Sequence, residues 1–80
     1  MTLTLLVRAY CHLCDDMRAA LQPLLAGRAV TVVEIDVDAD AALEARYGDL
    51  VPVLLVGDAA GGTELCHYHL DVAAVRAALG

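Results

Sequence analysis

The sequence predicts an α/β fold in the order β-α-β-α-β-β-α, with a four-stranded mixed sheet and helices on both faces. Two observations predict it. Short apolar runs rich in Leu, Val and Ile alternate with stretches of helical periodicity, which is the pattern of a βαβ unit. Later, two apolar runs are joined by a glycine-containing turn, which folds them back as a hairpin. Eighty residues, 60% of them hydrophobic, hold one core and one domain, residues 1–80.

"LTLLV" (3–7) is a continuous apolar run, as expected of a strand buried on both faces. From Cys11 to about Gln22 the period becomes helical: Leu13, Met17 and Leu21 recur every four residues, and Leu24 and Leu25 extend the stripe. Asp15 and Asp16 fall in the first turn, where carboxylates favour the positive end of the helix dipole. Pro23 is expected to end or kink this helix, and Gly27 to mark the exit.

"AVTVVEIDV" (29–37) is β-branched and reads as a second strand, parallel to the first because a helix intervenes. "DADAALEARYG" (38–48) reads as a short helix capped by Asp38 or Asp40 and closed by Gly48. "VPVLLVG" (51–57) is a third strand, "DAAGG" (58–62) a turn, and "TELCHYHL" (63–70) the returning strand of the hairpin. Asp71 caps a last helix whose apolar side is Val72, Val75 and Leu79.

Composition excludes several functions. Eleven acidic residues stand against five arginines and no lysine, a net charge of −6, so the basic stripe that nucleic-acid phosphates require is missing. No apolar run approaches the ~20 residues of a membrane span. "MTLTLLVRAY" has its single basic residue after the apolar run, not before it as in a secretory signal, so a cytoplasmic protein is expected.

The chemistry is concentrated in "AYCHLC" (9–14), where Cys11 and Cys14 are two residues apart. In a reducing cytoplasm a permanent staple is not expected, and a loop this short would remove little unfolded-state entropy. Thiol–disulfide exchange is the better fit. It needs a thiolate, and a cysteine at a helix N-terminus faces unpaired N–H groups and the positive dipole end, which lower its pKa. Cys14, one turn further in, is close enough to attack a mixed disulfide formed by Cys11. C-x-x-C opening the first helix of this element order is the layout of a thioredoxin fold.

The neighbours of the pair have two readings each. His12 either stabilises a Cys11 thiolate or shuttles protons, or it is an exposed helix-start histidine. Arg8 either favours the thiolate and holds an anionic partner, or is a solvated loop charge. Tyr10 either packs against the site and its substrate or covers core, the second being the expectation here. For Pro52, cis is the minority geometry of an X-Pro bond on sequence grounds alone.

On "LTLLVRAYCHLCDDMRAAL", "VVEIDVD", "YGDLVPVLLVG" and "ELCHYHLDVAAVRAALG", which together span nearly the whole chain, the sequence resembles the short bacterial glutaredoxin-like proteins. The resemblance implies a dithiol–disulfide oxidoreductase with Cys11 as nucleophile and Cys14 as resolving thiol. It implies a cis Pro52 facing them, Val51 offering its backbone to an extended substrate, and Arg8 in the place of the basic residue that meets a glutathione carboxylate. The substrate would be a disulfide-bearing protein or a low-molecular-weight thiol, with no bound cofactor and glutathione as a candidate reductant. The chain departs from the family pattern in several places. His12 and Leu13 replace the usual proline and aromatic between the cysteines, and Leu50 the usual threonine. "HYHLD" stands in the glutathione-binding place, where only Asp71 is a possible match.

Two other classes compete. Cys11, Cys14, Cys66, His67 and His69 are residue types that bind zinc, and an iron–sulfur cluster could be bridged through Cys11. Cys66 reads better as a small hydrophobe in the last strand, and His67 and His69 as surface residues sharing one strand face. A catalytically silent adaptor of the same fold is the third class. "DVDAD" (36–40) imitates the start of a calcium loop, but Ala41 stands where the loop needs glycine and Tyr47 where it needs glutamate, so it reads as a helix cap.

Overall fold

A computed structural model describes residues 1–80. Strand β1 (Thr2–Val7) leads to helix α1 (His12–Leu25), strand β2 (Thr31–Asp36), a 3₁₀ turn (Val37–Ala39) and helix α2 (Ala41–Tyr47). Strands β3 (Val53–Val56) and β4 (Thr63–His67) form the hairpin, and α3 (Val72–Leu79) closes the chain. The sheet order is β2-β1-β3-β4. β1 pairs parallel with β2 and antiparallel with β3, and β3 pairs antiparallel with β4.

β1 is buried from Leu3 through Leu6, as its unbroken apolar run predicts. The strand period of two divides those residues between two cores. Leu3, Leu5 and Leu54 meet Met17 and Leu21 of α1, Cys66 of β4 and Val75 of α3. Leu6, Val53 and Leu55 meet Val37 and Tyr47 on the other face. Helices therefore cover both faces. Thr4, the buried polar residue of β1, donates its hydroxyl to the Gly57 carbonyl at 2.6 Å. Gly57 holds φ +92°, which a side chain would make costly.

Several boundaries differ from the sequence expectation. α1 runs through Pro23 to Leu25. The carbonyl that Pro23 leaves without a donor belongs to Ala19, an exposed residue, and Leu24 and Leu25 hold the last turn against the core. The 38–48 helix is divided: Asp36 caps the 3₁₀ turn by accepting from Asp38 N–H, and Asp40 caps α2 by accepting from Ala42 and Leu43 N–H. "DVDAD" is thus spent on two consecutive caps. β2 begins at Thr31, not 29, because Val30 N–H turns back to the Arg28 carbonyl. β3 begins only after Pro52, which has no N–H for the ladder. β4 stops at His67, not 70, because Tyr68 takes φ +63° and turns the chain away. His69 consequently lies beyond the strand and does not share a strand face with His67. The hairpin turn forms where expected, with the Asp58 carboxylate accepting from Ala60 and Gly61 N–H.

Since β1, β2 and β4 run in one direction and β3 in the other, the ends of the first three and the start of β3 share one end of the sheet. Helices α1, α2 and α3 all begin there. Cys11, Pro52 and the Tyr68–Asp71 segment therefore converge although they are distant in sequence.

Edge strand β2 is tied to α1 by Arg18, whose Nε and Nη2 reach the two Glu34 carboxylate oxygens at 2.7 Å each while Nη1 meets Asp15 at 2.8 Å. Hydrogen bonding to Arg18 holds the Glu34 carboxyl below its ordinary range, against a smaller opposing effect of burial.

Two predictions follow from this packing. Leu54→Ala empties a fully buried position packed against Leu3, Leu5 and Met17, and should lower unfolding free energy by roughly 2–5 kcal/mol in urea melts. For the Arg18–Glu34 pair, the depressed pKa makes its contribution present above the unfolded value of about 4.3 and lost as pH falls through the lower folded value. The stability difference between wild type and Glu34→Gln should therefore be constant near pH 7, start to shrink as pH falls below about 4.3, and vanish only below the depressed folded value.

Candidate functional site

α1 begins at His12 with Cys11 as its N-cap, in extended conformation at φ −109° and ψ +106°. In the place of the hydroxyl or carboxylate that usually caps a helix, the Cys11 Sγ accepts the Cys14 N–H at 3.2 Å. Cys11 and Cys14 are joined as a disulfide with their Cα atoms 5.2 Å apart. Cys14 is 1% exposed and anchored among the α1 core residues, whereas Cys11 is half-buried at the surface. The outer sulfur is the one a partner can reach, and the inner one is one helical turn behind it.

Tyr10 departs from the expectation that it covers core. It is fully exposed, at 105% of the reference area, in a left-handed turn at φ +58°. The chain must reverse between β1 and α1 within four residues, and Tyr10 makes the reversal with its ring turned outward. His12 is exposed on the first turn and forms no hydrogen bond or ion pair.

Arg8 is not a solvated loop charge. Its Nε lies 3.2 Å from both Asp38 carboxylate oxygens, and its Nη2 lies 3.2 Å from Glu44 Oε1. The guanidinium therefore clamps the end of β1 to the 3₁₀ turn and to α2. Hydrogen bonding to Asp38, chiefly, raises its pKa above the ordinary guanidinium value.

Pro52 is buried, Val51 is half-buried, and the peptide bond between them is cis. The segment is held from the far side by Tyr68, which sequence reasoning passed over. Its N–H donates to the Pro52 carbonyl at 3.0 Å and its hydroxyl donates to the Asp49 carbonyl at 2.8 Å. Val51 keeps its own backbone N–H and carbonyl outside this network. The His67 ring meets Tyr68 edge-on at 4.8 Å, and His67 Nδ1 pairs with Glu64 at 3.2 Å. No local sequence signal marks Tyr68, because both its partners are more than a dozen residues away and its left-handed backbone is ordinarily a glycine or asparagine property.

Cys66, on β4, sits in the core with Met17, Leu21 and Val75, paired across the hairpin with Leu54. Burial pushes its thiol pKa up, opposed by a backbone hydrogen bond at Asp71, so it stays protonated and a poor nucleophile. The residues considered as zinc ligands are not brought together, and no three His, Cys, Asp or Glu side chains converge on a point.

The largest cavity, about 440 Å³, lies along the C-terminal half of α1 against β2 and holds none of the predicted site residues. A smaller groove of about 250 Å³ runs between α1 and the start of α3, lined by Asp16, Met17, Ala20, Tyr68, His69, Leu70 and Val72. Met17 is one turn behind Cys14, and Tyr68 is bonded to Pro52, so this groove adjoins the disulfide end of the molecule. No helix is long and apolar enough to cross a membrane.

A family model for the glutaredoxin-like domain (DUF836) matches residues 2–80. None of the curated proteins matches the chain. Among solved structures, protein Ne2328 from Nitrosomonas europaea superposes with a TM-score of 0.85 at 35% identity, covering 99% of this chain and 91% of that one. The structural-genomics protein XcR50 from X. campestris gives 0.72 at 43% identity, covering 96% and 93%. A mutant thioredoxin from Halobacterium salinarum gives 0.68 at 24% identity, covering 98% and 70%, a likeness of fold alone. A thioredoxin-like sheet with a Cys11–Cys14 pair at the head of its first helix, matched by the family model over all but the first residue, makes this chain a member of the glutaredoxin-like domain family.

Proposed function

We propose that the protein is a dithiol–disulfide oxidoreductase. The observation that carries this reading is the asymmetry of the pair: an accessible Cys11 at the helix start and a buried Cys14 one turn behind, within bonding distance. In the reduced form the Cys11 thiolate attacks one sulfur of a substrate disulfide, joining it as a mixed disulfide and releasing the first thiolate. The Cys14 thiolate then attacks the Cys11 sulfur, closing the internal disulfide and releasing the second. Two electrons pass from the pair to the substrate, and a thiol reductant returns them.

The free N–H groups of the first turn favour the Cys11 thiolate, while Asp15 and Asp16 oppose it. Pro52 and the unpaired backbone of Val51 would receive the substrate chain as an added extended segment, and exposed Tyr10 and His12 would border it. Substrates are disulfide-bearing proteins or low-molecular-weight disulfides.

Redox titration against thiol buffers spanning roughly −150 to −320 mV, with acid quench, alkylation and intact-mass readout, tests the reading. Wild type should show one reversible two-electron transition between Cys11 and Cys14, with Cys66 unmodified in the native protein, and Cys14→Ser should trap a mixed disulfide on Cys11. Absence of any transition would end the redox reading. A second expectation concerns Tyr68. Tyr68→Phe removes the hydrogen bond to Asp49 and should raise KM for a peptide disulfide roughly five-fold, the worth of one hydrogen bond of about 1 kcal/mol, while the reduction potential stays unchanged.

A further inference from the structure

Three features compete for attention outside the cysteine pair: the apolar cavity beside β2, the exposed edge of β2 itself, and the charge around the disulfide end. The first two have nothing in the structure to say what would cover them. The third is specific to named side chains and concerns the class of substrate.

Among the arginines, Arg8 alone lies close in sequence to Cys11, and both of its faces are taken by Asp38 and Glu44. Arg18 is shared between Asp15 and Glu34. Arg28 follows the far end of a fourteen-residue helix that starts at Cys11, and Arg76 lies in the last turn of α3, which also starts at the disulfide end. Arg46 lies over the Tyr47 ring. No arginine is left free to meet a carboxylate of an approaching substrate. Negative groups, by contrast, are free: Asp16 lines the groove beside α1 and Asp49 precedes Pro52, and neither forms an ion pair. The groove itself offers Met17, Leu70, Val72 and the Tyr68 ring, which suit an apolar or aliphatic chain.

Building on the redox reading, we infer that Arg8 is a specificity-determining residue: locked by Asp38 and Glu44, it leaves the site selective for uncharged or cationic disulfides and against anionic ones such as glutathione disulfide. A net-anionic disulfide meets the field of Asp16, Asp49 and the rest of a chain of net charge −6 with no arginine free to offset it. A cationic one is steered in by the same field.

The test uses the reduced protein at pH 8. Single-turnover oxidation is followed by quench and alkylation with cystamine (cation), bis(2-hydroxyethyl) disulfide (neutral) and glutathione disulfide (anion). Each rate is divided by that of dithiothreitol with the same disulfide, which removes intrinsic reactivity. At low salt the normalised rates should fall in that order, with cystamine ahead of glutathione disulfide by roughly ten-fold, and 0.5 M NaCl should compress the spread to about two-fold. Asp38→Asn combined with Glu44→Gln frees Arg8 and should raise the glutathione disulfide rate about three- to five-fold at low salt without raising that of the neutral disulfide. Glutathione disulfide matching or outrunning the neutral compound in wild type would overturn the inference and leave the oxidoreductase standing. So would a spread that ignores salt, or no change in a folded double variant. If none of the three disulfides closes the Cys11–Cys14 bond, the redox reading falls and the inference with it.

Discussion

Strand β1 must present Leu3 and Leu5 to one helical layer and Leu6 to the other, and this two-sided burial dictates where everything else can go. A strand buried on both faces has to sit inside the sheet with partners on both edges, which it finds in parallel β2 and antiparallel β3. The parallel partner requires a crossover, supplied by α1, and the crossover must begin at the strand's C-terminal end. That requirement sets Cys11 at the head of a helix and at the rim of the sheet. The antiparallel partner enters from the same rim, so Pro52 lies at that end too. The site is a by-product of burying four consecutive residues of β1.

At the rim, charge is distributed with little slack. Aspartates cap the 3₁₀ turn, α2 and α3, each satisfying backbone N–H groups that would otherwise be unpaired. The first helix is capped by a sulfur instead. A weak acceptor at that position leaves more of the N-terminal field for the sulfur itself. The same aspartates make the rim acidic, and Arg8 is consumed in holding Asp38 and Glu44.

Tyr10 and Tyr68 are the two residues outside glycine that take positive φ, and both stand at this rim. Left-handed backbone at a bulky residue costs of order 1–3 kcal/mol and persists only where the surroundings enforce it. For Tyr68 the enforcement is visible in its bonds to Pro52 and Asp49. For Tyr10 it comes from chain connectivity, since the reversal from β1 into α1 must be completed before the helix starts.

Most of the fold was legible in sequence because it is written in local periodicity: the apolar run of β1, the four-residue stripe of α1, the β-branched stretch of β2 and the aspartate caps. The pairing of Cys11 with Cys14 was legible for the same reason, being separated by a single helical turn. Boundaries were less so. The helix passes Pro23 because Leu24 and Leu25 are held by a core assembled from four other elements, and β4 ends at His67 because Tyr68 is captured by a segment sixteen residues upstream and more. The sequence by itself determined the element order, the Cys11–Cys14 pair and the net negative charge. Only the tertiary structure decided that Arg8 is bound to Asp38 and Glu44, that Tyr68 holds the Pro52 segment, and that Cys66 is sealed in the core. Each of those depends on contacts between residues 12 to 36 positions apart, and such distances are set by how the sheet closes, not by any local pattern.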